Sequence, residues 1–140
     1  MNYFFLAHMC ALAMNWAQPT LPADRFSTCV DVGVEAIAGG VDPSLAVALS
    51  YTESRFNSSA KSNRGAHGPL QVKPVFHCPD RRLRGCNLIK AGIGAIIRYR
   101  NRYGSDWLCH WNSGNRCYDK SRLFARIVLR RQRSLRQGRQ

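Results

Sequence analysis

The sequence predicts a single small domain that is mainly α-helical, with any β structure limited to a small region near residues 60–76. At 140 residues the chain has room for one domain and its core. Several segments have the apolar spacing and the end signals of helices, and no repeat or linker divides them. The irregular stretch of residues 57–86 is rich in Ser, Asn, Gly and Pro, but its interspersed apolar residues argue against disorder.

The helical segments begin and end at recognisable residues. Asp42 followed by Pro43 is typical of a helix N-terminus, and Asn87 supplies an N-cap for a later helix. Two consecutive glycines, Gly39 and Gly40, end the segment before Asp42. Helices are therefore predicted at residues 26–38, 43–56, 87–103 and 106–110, and from about 119 onward.

The N-terminal segment, residues 1–23, is predicted to be a signal peptide or a weak N-terminal anchor. It holds an apolar run of about 14 residues, which is short for a membrane-spanning helix but typical of a signal peptide. No Lys or Arg precedes the run, so a first core helix remains an alternative. Export would place the protein in the periplasm or the cell-wall space.

The cysteines also favour an oxidising compartment. Cys78 and Cys86, and likewise Cys109 and Cys117, enclose short polar loops of the kind that disulfides close in small exported domains. Cys29 has no predicted partner. A zinc site is the alternative, but the cysteines lack the closely spaced pair that is typical of zinc sites, so we predict no metal. No cofactor is predicted either. That zinc site would draw on His77, Cys78, Cys86, Cys109, His110 and Cys117.

The charge of the chain predicts an anionic partner. The net charge is +13 and the pI is about 10.3, which favours nucleic acid, a membrane surface or an acidic cell-wall polymer. Residues 131–140 are predicted to be a basic C-terminal tail that holds the protein on an anionic wall or membrane surface. The chain has no recognisable groove-reading motif, so no specific nucleic acid is predicted, and we expect a monomer.

Glu53 is the candidate catalytic residue. The chain has two glutamates, and Glu53 lies beside the apolar stripe of the helix predicted at residues 43–56. A carboxylate at the edge of a buried stripe is partly desolvated, which raises its pKa toward the range of a general acid. The alternative is a glutamate that points outward or pairs with Arg55 or Arg64.

Four motifs follow one another from this glutamate onward: ESRFN at residues 53–57, GAHGPLQV at 65–72, the helical segment with Asn87, Ala91 and Gly92, and HWNSG at 110–114. Their order and separations resemble those of the lytic transglycosylase domain related to goose-type lysozyme. The resemblance covers roughly residues 42–130 and implies a lysozyme-like domain, which we place at residues 24–130. The resemblance does not distinguish a phage lysis enzyme from an accessory protein of a secretion or conjugation system.

The resemblance also implies a reaction and a set of site residues. Glu53 would act as acid and then as base, cleaving the β-1,4 bond between N-acetylmuramic acid and N-acetylglucosamine with formation of a 1,6-anhydro sugar. The alternatives are a muramidase that hydrolyses the same bond, or a non-catalytic basic protein that binds wall or nucleic acid. The peptidoglycan strand would contact Ser62, Leu70, Gln71, Trp111 and Asn112.

Two departures concern the surroundings of the acid. Trp111 and Phe124 each stand where the family has a tyrosine, and the indole of Trp111 donates a hydrogen bond but accepts none. Tyr51 or Tyr118 is a candidate to replace the missing hydroxyl. Ordinary glycosidases use two carboxylates, and Asp80 and Asp106 are the nearest alternatives to Glu53, although neither lies in a motif.

Overall fold

The computed structural model describes residues 3–138, and over that range the chain is a bundle of α-helices, which confirms the predicted mainly α class. Two short 3-10 turns, Pro79–Arg81 and Gly104–Asp106, join helices at the surface. The helices are α1 (Tyr3–Met14), α2 (Ala23–Ala38), α3 (Pro43–Ser54), α4 (Pro74–His77), α5 (Leu88–Tyr103), α6 (Trp107–Ser113) and α7 (Asp119–Arg136).

Helix α3 is the central element, because residues 44–51 are buried on all its faces. It packs against α1, α2 and α7. Its N-terminus is capped as predicted: the Asp42 carboxylate accepts a 2.9 Å hydrogen bond from the backbone N–H of Ser44. The helix ends at Ser54, earlier than predicted, because the next two residues take left-handed conformations, with φ of 52° and 61°.

The irregular segment after α3 is fastened to it. The Ser50 and Ser54 hydroxyls both donate to the carbonyl oxygen of Pro69, at 3.0 and 2.8 Å. Its β structure consists of isolated bridges from His67 to Lys61 and to Val72, as small as predicted. These contacts hold the loop as a fixed wall beside the C-terminal end of α3.

Helix α1 is packed into the domain. Leu6, Met9 and Cys10 are fully or almost fully buried, and Cys10 forms a disulfide with Cys29 of α2. The partner of Cys29 is thus found, and the segment has the form of the core helix that the sequence left as an alternative. Removal of residues 1–23 as a signal peptide stays a prediction, of which residues 1 and 2 lie outside the described range.

Helix α7 contains most of the segment that was predicted to be a separate tail. Leu135 is buried, the Arg131 guanidinium donates to the Thr52 hydroxyl at 3.0 Å, and Arg136 pairs with Asp42 at 2.7 Å. The boundary predicted at residue 131 is therefore wrong, because residues 131–136 pack on α3 and its N-cap. Residues 139 and 140 lie outside the described range.

None of the helices in the described range is both long enough and apolar enough to cross a membrane.

The disulfide between α1 and α2 is expected to contribute about 3 kcal/mol to the free energy of unfolding, because it closes a loop with a sequence separation of 19. The double variant Cys10→Ala/Cys29→Ala should lose that amount in urea unfolding under oxidising conditions. The matched control, Cys78→Ala/Cys86→Ala, opens a loop with a separation of 8 and should lose less. Equal stability of the first variant and the wild type would contradict this role.

Candidate active site

A cavity of about 390 Å³ lies at the C-terminal end of α3. The loop that follows α3 forms one wall, and residues of α4, α5 and α6 form the other. Since the loop is tied to α3 through Pro69, the loop wall is fixed relative to the glutamate in the last turn of that helix. We call this space the catalytic cavity, after the role predicted for Glu53.

Glu53 lines the catalytic cavity and is mostly removed from solvent. Burial raises the pKa of its carboxyl from the ordinary 4.5 to about 7, and a hydrogen bond from Trp111 opposes that rise. The indole Nε1–H of Trp111 donates to Oε2 of Glu53 at 3.2 Å. A carboxyl with this pKa is substantially protonated near neutral pH and can donate a proton to a substrate oxygen.

Glu53 is the only carboxylate lining this cavity in the described part of the chain. Asp80 and Asp106, the alternatives considered from the sequence, are exposed and do not line it. The charged neighbours in the lining are basic, Arg64 and Lys73. Within the described residues Glu53 forms no ion pair, so the structure does not show the predicted alternative of a glutamate neutralised by an arginine.

The structure brings together most of the residues that the sequence singled out. Ser62, Gln71, Trp111 and Asn112 all line the catalytic cavity with Glu53. Leu70 does not: it is fully buried, and it lies against Gly92 of α5. The prediction that Leu70 contacts substrate is therefore wrong, because its side chain packs the loop onto α5 from behind.

Two of these residues are occupied with the loop itself. The Ser62 hydroxyl accepts hydrogen bonds from the backbone N–H groups of Arg64 and Ala66, at 3.2 and 3.0 Å. The Gln71 amide donates to the carbonyl oxygens of Ala60 and Gly68, at 3.2 and 2.9 Å. Their side chains therefore set the shape of the wall, as local capping does.

An aromatic wall was missed in the sequence. Tyr99 of α5 lines the catalytic cavity, and its ring lies 5.3 Å from the ring of Trp111. Neither suggested tyrosine takes this place: Tyr51 is buried against Trp16, and Tyr118 is exposed at the start of α7. The available signal was the spacing of Tyr99 and Tyr103, which puts both rings on one face of α5.

Disulfides support both ends of this wall. Cys78–Cys86 follows α4, and Cys109–Cys117 spans the end of α6, so both predicted pairs are confirmed. Cys109, His110 and Cys117 lie close enough together to surround a metal ion, but the two sulfurs are bonded to each other and offer no thiolate. The second disulfide fixes the segment that carries Trp111 and Asn112.

A desolvated glutamate that lines a cavity of a small helical domain is a candidate general acid. The chain belongs to the transglycosylase SLT domain family, whose family model matches residues 33–120, well over half of the chain. The family acts on peptidoglycan, and the match includes Glu53, the loop and the Trp111 segment. No significant match was found among curated proteins or among solved structures.

The Trp111→Phe variant is expected to shift the alkaline limb of the pH–rate profile to higher pH. The indole N–H stabilises the Glu53 carboxylate and so lowers its pKa. Without that donor the pKa should rise by about one pH unit, the equivalent of one hydrogen bond to a charged group. The measurement is the initial rate of glycan cleavage between pH 4 and 9.

A matched control for this experiment is Trp107→Phe. Trp107 is a buried indole packed edge-on against Trp111, and it does not line the catalytic cavity. The control should leave the position of the alkaline limb unchanged. An unshifted limb in Trp111→Phe would show that the hydrogen bond does not govern the pKa of Glu53.

Proposed function

We propose that this protein is a peptidoglycan lytic transglycosylase in which Glu53 is the catalytic acid and base. The observation that carries the proposal is the environment of Glu53, a carboxyl with a pKa of about 7 and no second carboxylate in the described lining of its cavity. Hydrolysis by the usual routes needs a second carboxylate, either as nucleophile or to activate water. A reaction in which the substrate itself supplies the nucleophile needs only one carboxylate from the protein.

The proposed reaction has two proton transfers at one carboxyl group. Glu53, protonated, donates to the glycosidic oxygen between N-acetylmuramic acid and N-acetylglucosamine as the C1–O bond breaks. The resulting carboxylate then accepts the proton of the muramyl C6 hydroxyl as its oxygen bonds to C1. The products are a chain ending in 1,6-anhydro-N-acetylmuramic acid and a chain with a free N-acetylglucosamine 4-hydroxyl, and Glu53 returns to its protonated form.

Two features of the cavity support this proposal. The attacking C6 hydroxyl belongs to the same sugar as C1, which gives the reaction an entropic advantage. The protein therefore needs only to hold the sugar in the correct position relative to the acid. The rigid loop wall and the Trp111–Tyr99 aromatic wall are suited to hold a sugar ring beside Glu53.

Mass spectrometry of the soluble products released from purified sacculi in ¹⁸O-labelled water tests the proposal. A lytic transglycosylase should release muropeptides with anhydro termini, lighter by one molecule of water per end than hydrolysis products, and free of label. Reducing muramic acid ends that carry the label would identify a muramidase. The absence of any cleaved product would favour a non-catalytic protein that binds wall or nucleic acid.

We also propose that the protein works outside the cytoplasm, in the periplasm or the cell-wall space, as a monomer held on its substrate by charge. Three disulfides and a peptidoglycan substrate support export. Exposed arginines of α7 such as Arg130 and Arg133 are suited to contact an anionic wall or membrane surface. Sedimentation with sacculi at increasing salt, comparing wild type with Arg130→Gln/Arg133→Gln, tests the electrostatic part.

A further inference from the structure

A second, smaller cavity adjoins the catalytic cavity on the side of α5. Its volume is about 300 Å³. It shares part of its wall with the catalytic cavity, namely Phe76, His77, Tyr99 and Gly114. We call it the arginine cavity, because the rest of its lining is Arg98, Arg102, Tyr103 and Asn115.

The two arginines lie on one face of α5, one helical turn apart. Nη2 of Arg98 lies 2.9 Å from Nδ1 of His77, which orients the guanidinium group at the edge of the cavity. Burial and the charge of Arg98 lower the pKa of His77, so a neutral ring with Nδ1 as acceptor fits this contact. The guanidinium of Arg102 lies over the ring of Tyr103, 5.2 Å from its centroid.

Neither arginine is neutralised within the described residues. The ion pairs found there involve Arg25 and Arg136, and both lie elsewhere in the fold. Both Arg98 and Arg102 are exposed and have N–H groups to offer a ligand. Two guanidinium groups that line the same cavity are suited to bind a carboxylate.

A line of aromatic rings joins the arginine cavity to the acid. Trp111 donates to Glu53, its ring packs against Tyr99 at 5.3 Å, and Tyr99 packs against Tyr103 at 5.7 Å. Tyr103 in turn stacks on His110 at 3.8 Å and donates to Asn115 at 3.3 Å. Packing therefore fixes the position of the helix that carries the two arginines relative to Glu53, and a substrate that contacts both the arginines and Glu53 is bound in one orientation.

The chemistry of the substrate identifies the anion. The sugars of a peptidoglycan strand carry amides and hydroxyls, whereas its carboxylates belong to the stem peptides attached to the muramic acid lactyl groups. We infer that the arginine cavity binds a stem-peptide carboxylate of a muramic acid residue close to Glu53. Peptide-bearing glycan is then cleaved in preference to bare glycan. This inference rests on the proposed function.

The experiment compares two soluble substrates of equal glycan length, one carrying stem peptides and one from which an amidase has removed them. The value of kcat/KM is measured on each, and their ratio is the readout. For the wild type we expect a ratio of about ten in favour of the peptide-bearing substrate, equivalent to one charge-assisted interaction. For Arg98→Gln/Arg102→Gln we expect the ratio to fall toward one.

A charge-matched control separates this site from the general attraction of a basic protein. Arg100→Gln/Arg126→Gln also removes two positive charges, from exposed residues that line neither cavity. The control should keep the wild-type ratio. A helical circular dichroism spectrum like that of the wild type shows that each variant is folded.

The possible outcomes distinguish the inference from the function on which it rests. A wild-type ratio of one, or a ratio unchanged in Arg98→Gln/Arg102→Gln, would overturn the inference and leave the proposed function intact. An equal fall of the ratio in the control variant would attribute the preference to net charge and would also overturn it. Failure of the wild type to cleave either substrate would refute the proposed function itself.

Discussion

The Glu53→Gln variant is expected to lower the rate of glycan cleavage by roughly a hundredfold or more while it still binds peptidoglycan. Glutamine keeps the shape of the side chain and can accept the Trp111 hydrogen bond through its amide oxygen, but it has no acidic proton to donate. The rate is measured as release of soluble muropeptides, and binding as sedimentation with sacculi. Since binding is retained, the loss should be in kcat.

The control is Glu35→Gln, which removes the other glutamate from α2, outside the catalytic cavity. It should retain wild-type activity. Activity that survives in Glu53→Gln would place the acid elsewhere, and Asp80 would be the first residue to test. Loss of both activity and binding in a folded variant would indicate a role in holding the glycan.

The same substitution is expected to make the protein more stable at alkaline pH. The pKa of Glu53 is raised by folding, from 4.5 to about 7, so the folded protein retains a proton that the unfolded chain has released. The stability of the wild type therefore falls as pH rises from about 4.5 to about 7, and it stays lower above that. Glutamine does not titrate, so the variant should gain on the order of 3 kcal/mol at pH 8 and very little below pH 4.

Urea unfolding of wild type and Glu53→Gln at pH 4, 6 and 8 measures this difference. A stability gain that grows with pH would show that desolvation of the carboxylate costs free energy in the folded state, as it does at many functional sites. A gain independent of pH would mean that the carboxyl is not desolvated, and would weaken the assignment of Glu53 as the acid.

The Gly92→Ala variant is expected to lower the free energy of unfolding by about 1–3 kcal/mol and to disturb the loop wall. A Cβ at Gly92 would overlap Cδ1 of Leu70 and would lie 2.8 Å from its Cβ atom, which is the second close contact. The second of these atoms is fixed to the backbone, so the loop must move away from α5. Because Gln71 follows Leu70 directly and holds the wall of the catalytic cavity, the variant should also lose cleavage activity.

Gly94→Ala is the matched control, in the same helix and with the same change. A Cβ at Gly94 would meet Nη1 of Arg98 at 3.3 Å, and the flexible end of that side chain can move away. Since alanine favours a helix over glycine by roughly 0.5–1 kcal/mol, the control should be as stable as the wild type or slightly more so. Equal stability of the two variants would show that the contact between α5 and the loop is not tight.

The sequence was sufficient for most of the helices and for the choice of Glu53 as the candidate acid. The cap at Asp42, the cap at Asn87 and the glycine stop after Ala38 are local signals, because each depends on hydrogen bonds or steric limits within a few residues. The helix was predicted to end near Phe56, which is beyond its actual end, because the left-handed backbone conformations of residues 55 and 56 depend on the packing of the loop. Two disulfides were also predictable, since each joins cysteines in one short loop.

The sequence by itself determined a small helical domain, a motif centred on Glu53 and a pairing of nearby cysteines, all properties of short stretches of chain. Only the tertiary structure decided which residues surround that glutamate. It placed Tyr99 in the cavity wall, Leu70 behind the wall, Cys10 against Cys29 and residues 131–136 on α3. These contacts join residues distant in sequence, and burial of a side chain depends on every element packed around it, which no local pattern specifies.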